Sequence, residues 1–431
     1  MTFRLTRRAA LAALALPAIA RAQAPTTITM WTFVDPTRPG GRETALKQMI
    51  ESFERANPTL KVRVEPQVWT TLAEKFVLGH NAGNAPDICW VNGENMGLIL
   101  GSDAAADLKP LVDAWSPAMR ADYLLPSALT AVTVKNQLLA MPLMASTWVL
   151  MYRRDLLAKA GLGPEVLKTW DGVVQAATAM TRRATPDAQP DIWGIGLGLA
   201  TERYSVTPAV LAAIGGQNGL FGDGCAPRIA TPAVGRAVSW QAELITRHRV
   251  TPREALAMTS DDAIDQFAAG RYAMELISNA RFEQIQRNAA GWNRDDLAMA
   301  PTPGWTADKP GPTLITGWNA VAWRKSPRLA HARAFIAHMT SPEALALWNL
   351  PGGQVPMLRS LTERPEMALP ANLPLRQVAG YFGTAGFTMP SQCAWARTLA
   401  DLNLATQQVV LGQRSLADAL KQAELATKDR Q

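Results

Sequence analysis

Cysteine is scarce in this 431-residue chain: Cys89, Cys225 and Cys393 stand far apart, with no CxxC spacing. With only 4 histidines, a metal centre built from thiolate and imidazole is not expected. The three are expected to be buried thiols behaving as small apolar residues. An odd number in an oxidising compartment leaves at least one free or paired between chains. Long apolar runs are also missing. Nothing after residue 24 approaches the roughly 18 unbroken apolar residues that a membrane span needs. Enzyme signatures are missing too: no GxSxG, HExxH or Walker sequence, and no GxGxxG after a strand. The glycine-rich stretch 215–224 follows a helical segment and lacks the GK[ST] ending of a phosphate loop. Asp261-Asp262 and Asp295-Asp296 read as solvated acids rather than a catalytic pair.

The chain's excess of positive charge is concentrated at its start. Arg4, Arg7 and Arg8 precede an apolar run from Ala9 to Ile19. Ala22-Gln23-Ala24, or alternatively Ala20-Arg21-Ala22, supplies the small-x-small cleavage site of a secretory leader. Thr6-Arg7-Arg8-Ala9 leaves both the Sec and the twin-arginine route open. No cysteine lies near the cleavage site, so a lipid-anchored N-terminus is not expected. The expectation is a soluble periplasmic protein cut near Ala24. The leader holds four arginines and no acid, so the net charge falls from +7 to +3, with 39 basic against 36 acidic side chains. That balance is too even to imply a nucleic-acid partner.

Hydrophobic periodicity gives an alternating α/β order. Thr27 to Phe33 reads as a strand, Glu43 to Asn57 as a helix stopped at Asn57-Pro58, and Leu60 to Val64 as a strand. A helix over Leu72 to Asn81 leads to a strand through Ala85 to Val91. Further on, Trp148 to Tyr152 (WVLMY) reads as an interior strand. A helix follows from Asp155 and stops at Gly161-Leu162-Gly163. Thr169 or Asp171 caps the next helix, about Trp170 to Arg182.

Several of these segments carry motifs. Phe53 to Val62 (FERANPTLKV), Ala85-Pro86-Asp87-Ile88 and Thr169-Trp170-Asp171 occur in that order. Phe267 to Met274 (FAAGRYAM), Ile315 to Ala322 (ITGWNAVA), Ala332 to Ser341 (ARAFIAHMTS) and Gly352 to Pro356 follow. Together the string resembles the sugar-binding family of extracytoplasmic solute-binding proteins of ABC importers, the maltose- and glycerol-3-phosphate-binding-protein-like group. The resemblance implies an α/β, two-lobe type II periplasmic-binding-protein fold, with discontinuous lobes joined by about three hinge crossings. One lobe would be 25–143 plus 279–323 and the other 144–278 plus 324–431. It further implies a monomer without cofactor or catalytic activity. Such a protein captures a carbohydrate or glycerol derivative by hinge closure and hands it to the permease's transmembrane subunits. The alternative is a secreted carbohydrate-active enzyme, a lyase or glycosidase.

Aromatic composition agrees with a sugar ligand: 14 Trp against 5 Tyr and 10 Phe. A pyranose offers an apolar C–H face to a flat ring and hydroxyls to a polar rim. In doubly wound sheets ligands sit beyond the strand ends where the topology switches. Candidates at such places are Trp31, Phe33, Trp69, Trp90, Asn92, Trp148, Gly317, Trp318, Asn319 and Trp395. The resemblance adds Asp35, Glu94, Ser146 and Thr147 as hydroxyl contacts. Ser278-Asn279-Ala280-Arg281 departs from the family's xGxW, which removes a stacking ring and offers Ser278 and Arg281, the latter as an anion clamp. Trp170, Trp193, Trp240 and Trp323 are expected to be packing residues.

Overall fold

The computed structural model describes residues 24–185, 188–202, 204–217, 219–350, 352–369, 372–381 and 386–430. The leader falls outside these. The chain opens as strand β1 (Thr26–Thr32), helix α1 (Gly41–Ala56), β2 (Leu60–Pro66), α2 (Leu72–Ala82) and β3 (Ile88–Asn92). Then come β4 (Met141–Arg153), α3 (Trp170–Met180), α4 (Pro232–Thr246), α5 (Ser260–Ala268), β5 (Met274–Ser278), β6 (Leu297–Ala300) and β7 (Thr313–Ala322). Helices α6 (Leu329–Met339) and α7 (Pro342–Asn349), strand β8 (Gly386–Thr388), and helices α8 (Trp395–Val410) and α9 (Leu416–Lys428) close the order.

Local rules account for the boundaries. Helix α1 buries Ala45, Leu46, Met49 and Phe53 on one face and ends at Asn57, before the Pro58 that disfavours further helix. Thr169 caps α3 by accepting from the Gly172 amide at 3.0 Å. Behind that cap Trp170 is buried, its ring 4.9 Å from that of Trp240. Trp323 donates to His80 Nδ1 at 3.1 Å, a packing role as expected.

The sheet runs β2-β1-β3-β7-β4-β5, with β8 on β7 and β6 on β4. Strand β1 pairs in parallel with β2 and β3, while β4 runs antiparallel to β5, β6 and β7. Strand β4 is the pivot. All 13 of its residues are buried, and it changes partners midway. Met141 to Thr147 pair with β7, and Trp148 to Tyr152 pair with β5. Its alternating side chains then serve two cores, Val149 and Met151 in one, Leu150 and Tyr152 in the other.

Two expectations change here. Helices α6 and α7, assigned to the lobe 324–431, pack on the opposite half: Phe335 lies 4.9 Å from Phe53 of α1, and Trp348 5.4 Å from Trp90 of β3. Conversely β6, within 279–323, pairs with the second half of β4. Which half a returning segment joins depends on where its apolar face fits, and periodicity alone does not show that. The cysteines also differ from expectation. Cys225 and Cys393 form a disulfide with Cα atoms 5.4 Å apart, across 168 residues of chain, and only Cys89 is a free buried thiol.

Candidate functional site

Beyond the ends of β3 and β5 and along the middle of β4 and β7, the two halves of the sheet frame a cleft of about 120 Å³. One wall carries an aromatic row. Trp348 packs edge-on to Trp90, Trp90 to Phe33 at 6.4 Å, and Phe33 lies 4.1 Å from Trp318, tilted 31°. The buried end of the row anchors it, and Phe33 and Trp318 present their rings to the cleft. Trp148 faces them from β4, with its strand neighbour Ser278 beside it.

A polar cluster is built between β3 and β7. Glu94 accepts from Asn92 Nδ2 at 2.7 Å and from the Thr316 hydroxyl at 3.3 Å, and Asn95 donates to Asn92 Oδ1 at 2.8 Å. Burial pushes the Glu94 carboxyl above its ordinary range, more than those hydrogen bonds pull it down. Two glycines make this approach possible. A Cβ on Gly93 would stand 2.9 Å from the Thr316 hydroxyl, and one on Gly317 only 1.7 Å from the Met144 carbonyl. Close approach, of the Thr316 side chain at Gly93 and of the β4 backbone at Gly317, and not conformational freedom, favours glycine there.

Ten of the sixteen residues singled out from the sequence line this cleft: Phe33, Trp69, Asn92, Glu94, Ser146, Trp148, Ser278, Arg281, Gly317 and Trp318. Six do not. Trp31 donates to Glu65 Oε2 at 2.8 Å along the strand pair, and Asp35 is occupied by Thr37 and Arg38 in its own turn. Trp90 is fully buried behind Phe33, and Trp395 is buried against Phe221, 5.1 Å away. The Thr147 amide donates to Asn279 Oδ1 at 2.9 Å, tying β4 to the segment after β5. Asn319 donates to the Val91 carbonyl at 3.3 Å between β3 and β7.

Sequence reasoning missed Arg42, Tyr204, Ser205, Ser260, Thr316 and Gln354, among others, which also line the cleft. Arg42 lies on α1, where its first-turn position looks solvated, and Tyr204, Ser205 and Gln354 come from loops without periodicity. Thr316 was within the strand motif but unweighted. Arg281 is not free: it pairs with Asp261 at 2.8 Å and donates to Gln284 at 2.8 Å. Among the described residues no cluster of His, Cys, Asp or Glu has the geometry to hold a metal.

Residues 48–374 match the family described as bacterial extracellular solute-binding protein. Among curated proteins, the arabinooligosaccharide-binding protein of Bacillus subtilis (strain 168) is 22% identical over 340 residues, 76% of this chain and 72% of that one. The sn-glycerol-3-phosphate-binding periplasmic protein UgpB of Escherichia coli (strain K12) is 24% identical over 360 residues, 81% of this chain and 78% of that one. Among solved structures, a solute-binding protein of Thermotoga lettingae TMO bound with α-D-tagatose superposes with TM-score 0.78 at 20% identity, covering 94% of this chain and 99% of that one. Maltose-bound MalE3 of T. maritima gives the same TM-score, 0.78, at 20% identity, covering 94% and 100%.

Proposed function

The chain belongs to the bacterial extracellular solute-binding protein family, and on that premise we propose that its cleft captures a small polyhydroxylated solute for an ABC permease. The class is a sugar, a short oligosaccharide or a glycerol-phosphate-type compound. The observation that carries this reading is the pairing of flat rings, Phe33, Trp318 and Trp148, with the polar set Asn92, Glu94, Ser146 and Thr316 in one cleft. Rings take the C–H face of a sugar, and the polar rim replaces the hydrogen bonds its hydroxyls lose to water. A cleft of about 120 Å³ is small beside the roughly 300–1,000 Å³ of drug-sized sites, which favours one or two rings over a long chain.

The working motion is hinge closure about β4, β7 and the segment after β5. The solute shifts the balance only through contacts that the open form lacks. Two contacts span the cleft lips, Trp69 Nε1 to Asp261 at 3.5 Å and Arg397 to Glu74 at 3.5 Å. The exposed Arg397–Glu74 pair contributes less than about 1 kcal/mol, and the half-buried Trp69–Asp261 contact is at the long limit of hydrogen-bond distance, so the solute and not the lips decides closure. Binding rather than turnover is favoured because Glu94 is the one carboxyl among the cleft's described lining, whereas glycosidases set two carboxyls across the scissile bond. The protein then works as a periplasmic monomer, its leader removed near Ala24.

Isothermal titration against mono- and disaccharides and glycerol phosphates tests this. At least one compound is expected to bind, and Trp148→Ala and Trp318→Ala each to weaken it about 10- to 100-fold, roughly 1.4–2.8 kcal/mol. Silence across the panel, or binding unaffected by both substitutions, sinks the reading.

A further inference from the structure

We infer that the captured solute carries an oxyanion, a carboxylate or a phosphate monoester, and that Arg42 is the side chain that reads it. The inference rests on the cleft being the ligand site. Arg42 sits in the first turn of α1, half-buried, and lines the cleft. Its guanidinium carbon stands 5.4 Å from the centre of the Phe33 ring, so the planar fork lies beside the aromatic wall. Among the described residues it has neither a hydrogen bond nor an ion pair. Glu94, the carboxyl lining the same cleft, is engaged by Asn92 and Thr316 instead. Arg281, on the other wall, has its partner in Asp261.

Arg42 gains some support from the nearby acids Glu43 and Glu283, but the remaining influences oppose its charge and outweigh that support. It stands at the positive end of a 16-residue helix, where an acid is the favoured residue. Burial, and then the charge of Arg281, push its pKa down to about 10. An arginine held against desolvation, a like charge and a helix dipole is a local conflict of the kind that functional sites retain. An oxyanion seated between Arg42 and Arg281 resolves all three at once. Arginine's fork accepts a carboxylate or phosphate through two parallel N–H bonds. The sugar's apolar face would then rest on Phe33 and Trp318 while its hydroxyls turn to Glu94.

The test is calorimetric titration of the leaderless protein with matched pairs: glucuronate and galacturonate against glucose and galactose, and glycerol 3-phosphate and glucose 6-phosphate against glycerol and glucose. In the wild type the charged member of at least one pair is expected to bind 10-fold or more tighter than its neutral partner, and to weaken as salt is raised. Which pair responds distinguishes carboxylate from phosphate. Arg42→Gln is expected to bring the charged compound down to the level of the neutral one, with Arg42→Lys in between and melting temperatures confirming that both variants fold. Neutral compounds binding as tightly as charged ones, or Arg42→Gln weakening both equally, overturns this inference and leaves the sugar-binding reading standing. No binding by any member overturns this inference, and silence extending to the disaccharides overturns the sugar-binding reading as well.

Discussion

At the scale of single residues, two buried carboxyls show how environment divides one chemistry into two roles. Asp87, from the Ala85–Ile88 motif, is 1% exposed. Burial alone would raise its pKa, but donors from Ser326 at 2.5 Å, Thr29 at 2.8 Å and Arg328 at 2.9 Å hold it below the ordinary range. A depressed pKa means stability that is present above the unfolded value of about 3.9 and lost as pH falls through the folded one. Asp87→Asn is therefore expected to cost about 3 kcal/mol at neutral pH, because it leaves the Arg328 charge and several donors uncompensated. Denaturant unfolding would measure it, and a cost under 1 kcal/mol would contradict the role. Glu275 on β5 is the opposite case. It is 4% exposed, its Oε2 lacks a hydrogen-bond partner, and burial lifts its pKa well above the usual carboxylate range. Its stabilising protonated form is fully favoured below the unfolded pKa of about 4.3, and that stability is lost as pH rises toward the folded value. Melting curves of wild type and Glu275→Gln should converge near pH 4 and separate in the variant's favour as pH rises. Parallel curves would rule the assignment out. Residue type and position made Trp148, Trp318 and Glu94 legible as candidates. Trp90 and Trp395 were indistinguishable from them because a sequence does not tell which side of a strand or helix end is covered. Arg42 was invisible because an arginine on an amphipathic helix usually points to water.

At the scale of elements, the strands were readable and their partners were not. WVLMY was correctly an interior strand, but β4 extends from Met141 to Arg153, since each half of it is paired and covered by a different part of the chain. The helix positions followed from periodicity and caps, as at Thr169. The docking of α6 and α7 on α1 depended on complementary surfaces, such as Phe335 on Phe53, that lie far apart in sequence. The same distance hid the bond between Cys225 and Cys393, which joins the turn before α4 to the start of α8. Loop-closure entropy makes a cross-link over 168 residues worth about 5 kcal/mol at most and commonly 2–5 kcal/mol. Cys225→Ser/Cys393→Ser is expected to lower the melting temperature by several degrees, as is reductant on the wild type, with no further effect of reductant on the double variant. An unchanged melting temperature in reductant would show that the pair contributes nothing.

At the scale of the whole molecule, two α/β halves share one sheet through β4 and β7, and the cleft lies where those strands change partners. Family membership and superposition fix the architecture; the cleft's chemistry points to what it holds. A hinge of this design converts a small contact energy into a change of shape, and shape is what a permease can recognise. Small-angle scattering on the leaderless protein, with and without a saturating solute already shown to bind by calorimetry, measures that conversion directly. The bound form is expected to be more compact, with a smaller radius of gyration and a shorter maximum dimension. Superimposable profiles at full occupancy would contradict capture by closure.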